Sequence, residues 1–156
     1  MRVVKVFDRF FEVNGNLKVG EIVKAGDCLG VVVSVVGEEP EYAKYIGELS
    51  RDEIKAYMPD ILERTVVSRC YILKGMGENV SPEVGEEVCL VSDEDLKKFH
   101  TKDGEFRMPY FYNLLKTCDI DITKKILLRL KKVFENEEII DILIKEVEYM
   151  MMHHMK

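Results

Sequence analysis

The sequence predicts a mainly β protein with a helical tail. We expect a small closed β-barrel of about six strands with short helical insertions, followed by a C-terminal α-hairpin. Three observations predict this class. Runs of β-branched and aromatic residues alternate with glycine-containing turns through residues 2–92. Glycines also interrupt the runs themselves, as in small barrels that bend their strands. From residue 123 the apolar residues follow helical spacing. We therefore place the barrel at residues 1–112 and the helical hairpin at 113–156.

The first strands follow from local composition. Residues 2–13 predict one bent strand or two short ones. The "NGN" of residues 14–16 predicts a hairpin turn, because Asn and Gly accept the positive φ of a tight reversal. Gly26–Asp27 then turns the chain between "EIVKA" and "CLGVVVSVV". Gly30 interrupts the second of these runs, which a bulge or a close neighbouring chain would favour.

The middle of the chain alternates between helical and strand signals. Ser50 and Glu53 match a capping box, which predicts a short helix. Residues 64–75 and 87–92 predict two further strands. Ser92 then caps the short helix "DEDLKKFH".

The tail predicts two amphipathic helices joined by a short loop. The first helix covers residues 123–134, and Asn136 is a plausible cap for the second. The apolar face of the second helix is predicted to contain Ile140, Leu143, Val147 and either Met150 or Met151.

Charge is segregated between these two helices. The first is basic, and its cations are Lys124, Lys125, Arg129, Lys131 and Lys132. The second segment, 135–148, holds six carboxylates against one lysine. The two helices can attract each other across their polar margins, which is the interpretation we favour. Alternatively, the basic helix faces a phosphate backbone or an acidic protein. These five cations are therefore our candidate contact residues for nucleic acid or a partner.

Catalytic, cofactor and metal signatures are sparse. The sequence contains no P-loop, G-x-S-x-G or H-E-x-x-H motif, so we predict a non-enzyme without a bound cofactor or metal. The four cysteines, Cys28, Cys70, Cys89 and Cys118, lie far apart and predict free thiols in a reducing compartment. His100 is expected to end its helix as a cation, although a Cys–His couple is conceivable.

The C-terminal "MMMHHM" of residues 150–155 combines soft metal ligands, but His153 and His154 point about 100° apart on a helix. We favour an apolar patch for self-association.

The order of the motifs resembles the HAS barrel, the N-terminal domain of HerA-type DNA-translocating ATPases and, more distantly, of ATP synthase catalytic subunits. The match is carried by Val19–Val23, Leu29–Ser34 and Gly85–His100. It covers residues 1 to about 112. The ATPase domain that follows such barrels has no counterpart here. The resemblance thus implies the barrel's assembly role without the motor.

From this resemblance we predict a non-catalytic assembly or adaptor barrel. It would dock a partner ATPase or a nuclease, such as one of the NurA type, or mediate oligomerisation. The alternative is a small-barrel nucleic-acid-binding protein that uses the basic C-terminal helix, with aromatic residues for stacking. The acidic net charge of −6 argues against broad phosphate-backbone binding. Because there is no signal peptide and no bilayer-spanning apolar run, we predict a cytoplasmic protein.

Overall fold

The computed structural model describes residues 1–37, 66–75 and 80–154. Its main sheet has six antiparallel strands: β1 (Val3–Val6), β2 (Phe10–Asn14), β3 (Ile22–Ala25), β4 (Cys28–Gly37), β5 (Val66–Leu73) and β6 (Val88–Leu90). Their spatial order is β1-β2-β5-β4-β3-β6. The mainly β architecture with about six strands is therefore confirmed.

The helical elements are α1 (Asp93–Phe99), α2 (Phe111–Thr117), α3 (Ile120–Val133) and α4 (Glu138–His154). A two-stranded ribbon, β7 (Thr101–Lys102) and β8 (Glu105–Phe106), separates α1 from α2. The helix predicted from Ser50 and Glu53 lies outside the described residues.

The sheet curls into an open half-barrel, so the prediction of a closed barrel is wrong. No ladder joins the edge strands β1 and β6 in the described chain. They approach each other at one antiparallel bridge between Arg2 and Glu87, where the Val3 amide donates to the Glu86 carbonyl over 3.0 Å. The edge strand β6 has only three residues, so it offers few backbone groups for a longer pairing with β1.

The N-terminal strands pair differently from the turn prediction. The chain reverses at residues 7–9, where the Phe7 amide donates to the Phe10 carbonyl over 2.7 Å. The segment 2–13 therefore forms two short strands, as one of the two predictions had it. The hairpin turn predicted at 14–16 is wrong. Strand β2 ends at residue 14, and it pairs with β1 and β5, whereas the next strand in sequence, β3, is not its neighbour.

Two apolar cores lie on opposite faces of this sheet. The inner core takes residues from all six strands, which only the concave side of a curved sheet can bring together: Val3, Phe11, Val13, Leu17, Val23, Ala25, Cys28, Val32, Cys70, Ile72 and Val88. The outer face of β3, β4 and β5 packs against the helices, with Leu29, Val31, Tyr71 and Leu73 buried there. Strands β4 and β5 are consequently buried on both sides, which explains their continuous apolar runs.

The predicted signals around α1 and the tail are largely confirmed. The Ser92 hydroxyl caps α1 by accepting from the Asp95 amide over 3.2 Å. Two tail helices are present, and Ile140 and Val147 are buried as expected. Asn136 is not the cap of α4: it lies two residues before the helix, with φ of +66°, and forms the turn after α3. The boundary predicted after residue 112 falls inside α2.

Candidate functional site

The five predicted contact cations all lie on α3, but they point in three directions. Lys124 and Lys131 turn toward α4. The Lys124 ammonium lies 3.8 Å from the Glu148 carboxylate, and the Lys131 ammonium lies 3.3 Å from the Asp141 carboxylate. From the first pair to the second, the chain advances seven residues on α3 and goes back seven residues on α4. The two helices are therefore antiparallel neighbours. This supports the interpretation that the opposite charges attract each other across the hairpin, modestly because the pairs are exposed.

Lys125 and Arg129 turn the other way, toward the sheet. The Lys125 ammonium donates to the Val19 carbonyl over 3.3 Å. One Arg129 guanidinium nitrogen lies 2.7 Å from the Asp93 carboxylate, at the start of α1. These contacts anchor α3 against the segment that precedes β3 and against the start of α1. Lys132 points outward and has no ion-pair partner among the residues that the structure describes.

Gly20 lies under the side chain of Lys125, where the segment before β3 meets α3. Its φ is +95°, a conformation that side-chain-bearing residues rarely adopt, and a Cβ there would lie 2.5 Å from Cδ of Lys125. The Gly20 amide also donates to the Val32 carbonyl over 2.8 Å. The backbone conformation therefore favours glycine at this position, and the stem of Lys125 occupies the space beside it.

A groove of about 440 Å³ lies between the start of β3, the end of β6 and α3. We call it the basic groove. Its cations are Lys18, Lys125 and Arg129, whereas Val19 and Leu90 provide apolar walls. Leu90 is 55% exposed. The groove thus combines exposed apolar surface with positive charge.

Two carboxylates partly offset the cations of this groove. The Glu21 side chain also lines it, and its carboxylate accepts from the Lys18 backbone amide over 2.8 Å. Asp93 engages Arg129 as described above. Three cations against two carboxylates leave a small positive excess. This excess suits an acidic segment that also carries an apolar side chain better than a long phosphate backbone.

His100, whose pKa is shifted, lies outside the groove in a buried aromatic cluster. His100 is the C-cap of α1, as predicted, but it is fully buried and is not a cation. Its Nδ1 lies 2.8 Å from the Leu96 carbonyl and its Nε2 lies 2.6 Å from the Tyr110 hydroxyl. Because a carbonyl only accepts, Nδ1 carries the proton and the Tyr110 hydroxyl donates to Nε2. Burial lowers the pKa of His100 to about 4.

This cluster is structural in character. The rings of Phe99, Phe106 and Phe134 surround His100 with centroid distances of 5.1–6.5 Å. Both ring nitrogens are engaged, so His100 does not form the conceivable couple with a cysteine. Burial also raises the pKa of Tyr110. A closed, neutral, fully hydrogen-bonded pair stabilises the junction between α1 and α2 but offers no group to a substrate.

The cysteines of the described residues belong to no metal-binding cluster. Within the described ranges, no three His, Cys, Asp or Glu side chains are grouped as a metal ion requires. The ring of His153 instead packs edge-on against Tyr149, with centroids 4.2 Å apart. Met152 is 70% exposed on the outer side of α4. In the same part of the chain, no helix is both long enough and apolar enough to cross a bilayer.

Sequence reasoning found the basic helix but missed the rest of the groove. Leu90 joins Lys18 and Val19 in the groove only because β6 pairs with β3, a pairing between segments about 65 residues apart in sequence. No local signal marks that pairing. By contrast, the Asp103–Gly104 dipeptide between β7 and β8 is a hairpin signal, which the sequence contains and the prediction overlooked.

Comparison with known proteins adds no assignment: the chain matches no protein-family model and no curated protein.

Proposed function

We propose that this protein is a non-catalytic assembly module of the HAS-barrel type that docks a protein partner at the basic groove. The partner is an ATPase or a nuclease of DNA processing, as the motif resemblance implies. The occupant of the groove is an acidic segment of that partner carrying an apolar side chain. The class of the partner and the cytoplasmic location are both inferred from the sequence.

One observation carries the docking proposal: exposed apolar and cationic side chains share one groove. Leu90 and Val19 are 55% and 39% exposed, and Lys18 and Lys125 flank them. Apolar anchors inside a charged margin are typical of protein interfaces. The groove is built jointly by the sheet and α3, and the side chain of Lys125 packs over Gly20 there.

Direct nucleic-acid binding by the basic helix is the second candidate. Lys125 and Lys132 are exposed and form no ion pair with the described residues, which favours it. The ion pairs of the other three cations weigh against it: Lys124, Arg129 and Lys131 each already face a carboxylate. Each engaged cation releases fewer counterions from a nucleic acid and contributes less affinity.

The docking proposal is tested by affinity capture from the native organism with mass spectrometry. Wild-type protein is compared with the groove variants Lys125→Glu and Leu90→Gln. Lys116→Glu is the control, since Lys116 is exposed on α2, away from the groove. Circular dichroism confirms that each variant is folded. We expect an ATPase or nuclease to be enriched with the wild type and the control and lost with both groove variants. Equal enrichment with the groove variants, or enrichment of neither class of enzyme, would contradict the proposal.

The nucleic-acid alternative is tested by fluorescence anisotropy with single-stranded and duplex oligonucleotides at low and moderate salt. Tight binding that weakens steeply with salt, and that is lost when the five α3 cations are neutralised, would replace docking as the proposed function. Weak binding that is insensitive to those substitutions supports docking.

A further inference from the structure

The outer surface of the α3–α4 hairpin is apolar along its centre. Leu128 on α3 is 44% exposed, and four large apolar residues of α4 are between 46% and 70% exposed: Ile139, Ile142, Tyr149 and Met152. We call these five residues the hairpin face. A helix that is apolar on two sides has one side more than its own core requires.

Charge on the hairpin is arranged in a way that can complement itself. Helix α3 carries five cations and one carboxylate, whereas α4 carries four carboxylates and one lysine. A basic helix therefore lies beside an acidic helix on a single surface. We propose that this surface binds a second copy of the same chain, forming a two-fold dimer in which α3 of each copy lies over α4 of the other.

The charge pattern selects the direction of the two-fold axis. An axis parallel to the helices and midway between them places α3 over the partner copy's α4, so unlike charges meet twice. An axis perpendicular to the helices places α3 over α3 and α4 over α4, so like charges meet. The first arrangement also makes every neighbouring helix pair antiparallel, as in a four-helix bundle, and it sets opposite helix dipoles side by side.

The register within the hairpin then indicates which residues meet. Because Lys124 and Lys131 are level with Glu148 and Asp141, Leu128 is level with Ile144 and Lys132 with Ile140. A two-fold axis parallel to the helices keeps these heights. Leu128 therefore packs between Ile142 and Tyr149 of the second copy, and Lys132 comes within reach of its Glu138. Neither Lys132 nor Glu138 has an ion-pair partner in the described part of the chain.

The area available for this contact is small for a protein–protein interface. The helices are about 21 and 25 Å long at ~1.5 Å per residue. With a width of about 20 Å for two adjacent helices, the two copies together cover about 900 Å². That is near the lower limit of about 1,000 Å² for a specific interface, so the dimer is reversible. The hairpin face shares no residue with the basic groove, so this inference and the docking proposal can fail independently.

Sedimentation velocity over a wide concentration range tests the inference. We expect the full chain to move from monomer to dimer as concentration rises. Tyr149→Glu should leave a folded monomer at every concentration. Tyr112→Glu is the matched control, because Tyr112 is also helical and 64% exposed against 65% for Tyr149, but lies on α2. It should dimerise like the wild type. A wild-type protein that stays monomeric throughout, or a dimer that persists in the folded Tyr149→Glu variant, would overturn the proposal.

A mixing experiment tests the pairing of α3 with α4. Lys132→Glu and Glu138→Lys should each weaken self-association by about tenfold or more, because each places like charges opposite each other twice. In an equimolar mixture, however, a heterodimer restores both unlike pairs, so dimer should reappear. Two variants that remain as weakly associated in the mixture as they are separately would overturn the crossed arrangement.

Discussion

The ring of Phe11 lies against the backbone of Gly30, in the space that a side chain at position 30 would occupy. A Cβ on Gly30 would lie 2.6 Å from Cε1 and 2.7 Å from Cζ of Phe11, and 3.3 Å from Cβ of Cys70. Real Cβ atoms do not approach other atoms so closely. The glycine in the middle of β4 is therefore explained by an aromatic ring from β2, which is separated from β4 in the sheet by β5.

This contact predicts that Gly30→Ala destabilises the protein by about 1–3 kcal/mol through overpacking of the inner core. Urea unfolding measures the change. In the double variant Gly30→Ala/Phe11→Leu, the smaller side chain makes room, so the combined loss should be smaller than the sum of the two single losses. Additive losses would show that Phe11 and position 30 do not compete for the same space.

The buried His100 predicts a pH-dependent loss of stability. Its pKa is about 4 in the folded protein and about 6.5 when exposed. Between these values only the unfolded chain takes up the proton. The free energy of unfolding therefore receives the whole contribution of neutral His100 above about pH 6.5. This contribution decreases as the pH falls toward 4, and below that pH it changes no further. The full loss is about 3 kcal/mol.

Urea unfolding at a series of pH values checks this, with His100→Gln as the comparison, since the amide does not titrate. The wild type should lose stability more steeply than the variant over this interval. Parallel pH profiles would mean that the pKa of His100 is the same in the folded and the unfolded protein.

The hydroxyl of Thr123 is buried on α3 and has no hydrogen-bond partner among the residues described. Thr123→Val removes this unsatisfied group while keeping the shape, so we expect stability to rise by about 1 kcal/mol. Ser68→Ala is the contrasting variant. The Ser68 hydroxyl accepts from the Leu17 amide over 3.1 Å and donates to the Gly15 carbonyl over 2.6 Å. Its loss should cost about 1–3 kcal/mol. Equal effects of the two substitutions would contradict this distinction.

The four cysteines are expected to differ sharply in reactivity. Burial raises the pKa of Cys28 and of Cys70 to about 12, with further contributions from Glu86 and from Cys28 respectively, and burial raises that of Cys118 to about 11. Cys89 is exposed on β6. At mildly alkaline pH a thiol reagent should therefore modify Cys89 quickly, the half-buried Cys118 more slowly, and Cys28 and Cys70 only on unfolding. Cys89→Ser should abolish the fast phase; a fast phase that survives would mean that another thiol is accessible.

Sequence reasoning succeeded where the signal is local. Strand β5, the Ser92 cap and the two tail helices follow from alternation, capping chemistry and helical spacing within a dozen or so residues. It failed where distant segments decide the outcome. Whether the sheet closes depends on how Arg2 meets Glu87, and neither residue carries a pattern that encodes the length of that pairing. Only part of the basic groove was predicted, for the same reason. Lys125 belongs to a basic helix that the sequence shows directly, whereas Leu90 is brought to the groove by the pairing of β6 with β3.

The two-sided burial of β4 and β5 has a consequence for how this protein can be altered by recombination or deletion. Both apolar cores rest on the same pair of strands, so cutting the chain after residue 112 would leave Leu29, Val31, Tyr71 and Leu73 facing water. We expect such a fragment to aggregate. The half-barrel and the helical tail therefore depend on each other for burial, and neither could be exchanged for an unrelated module without a matching change on the strands between them.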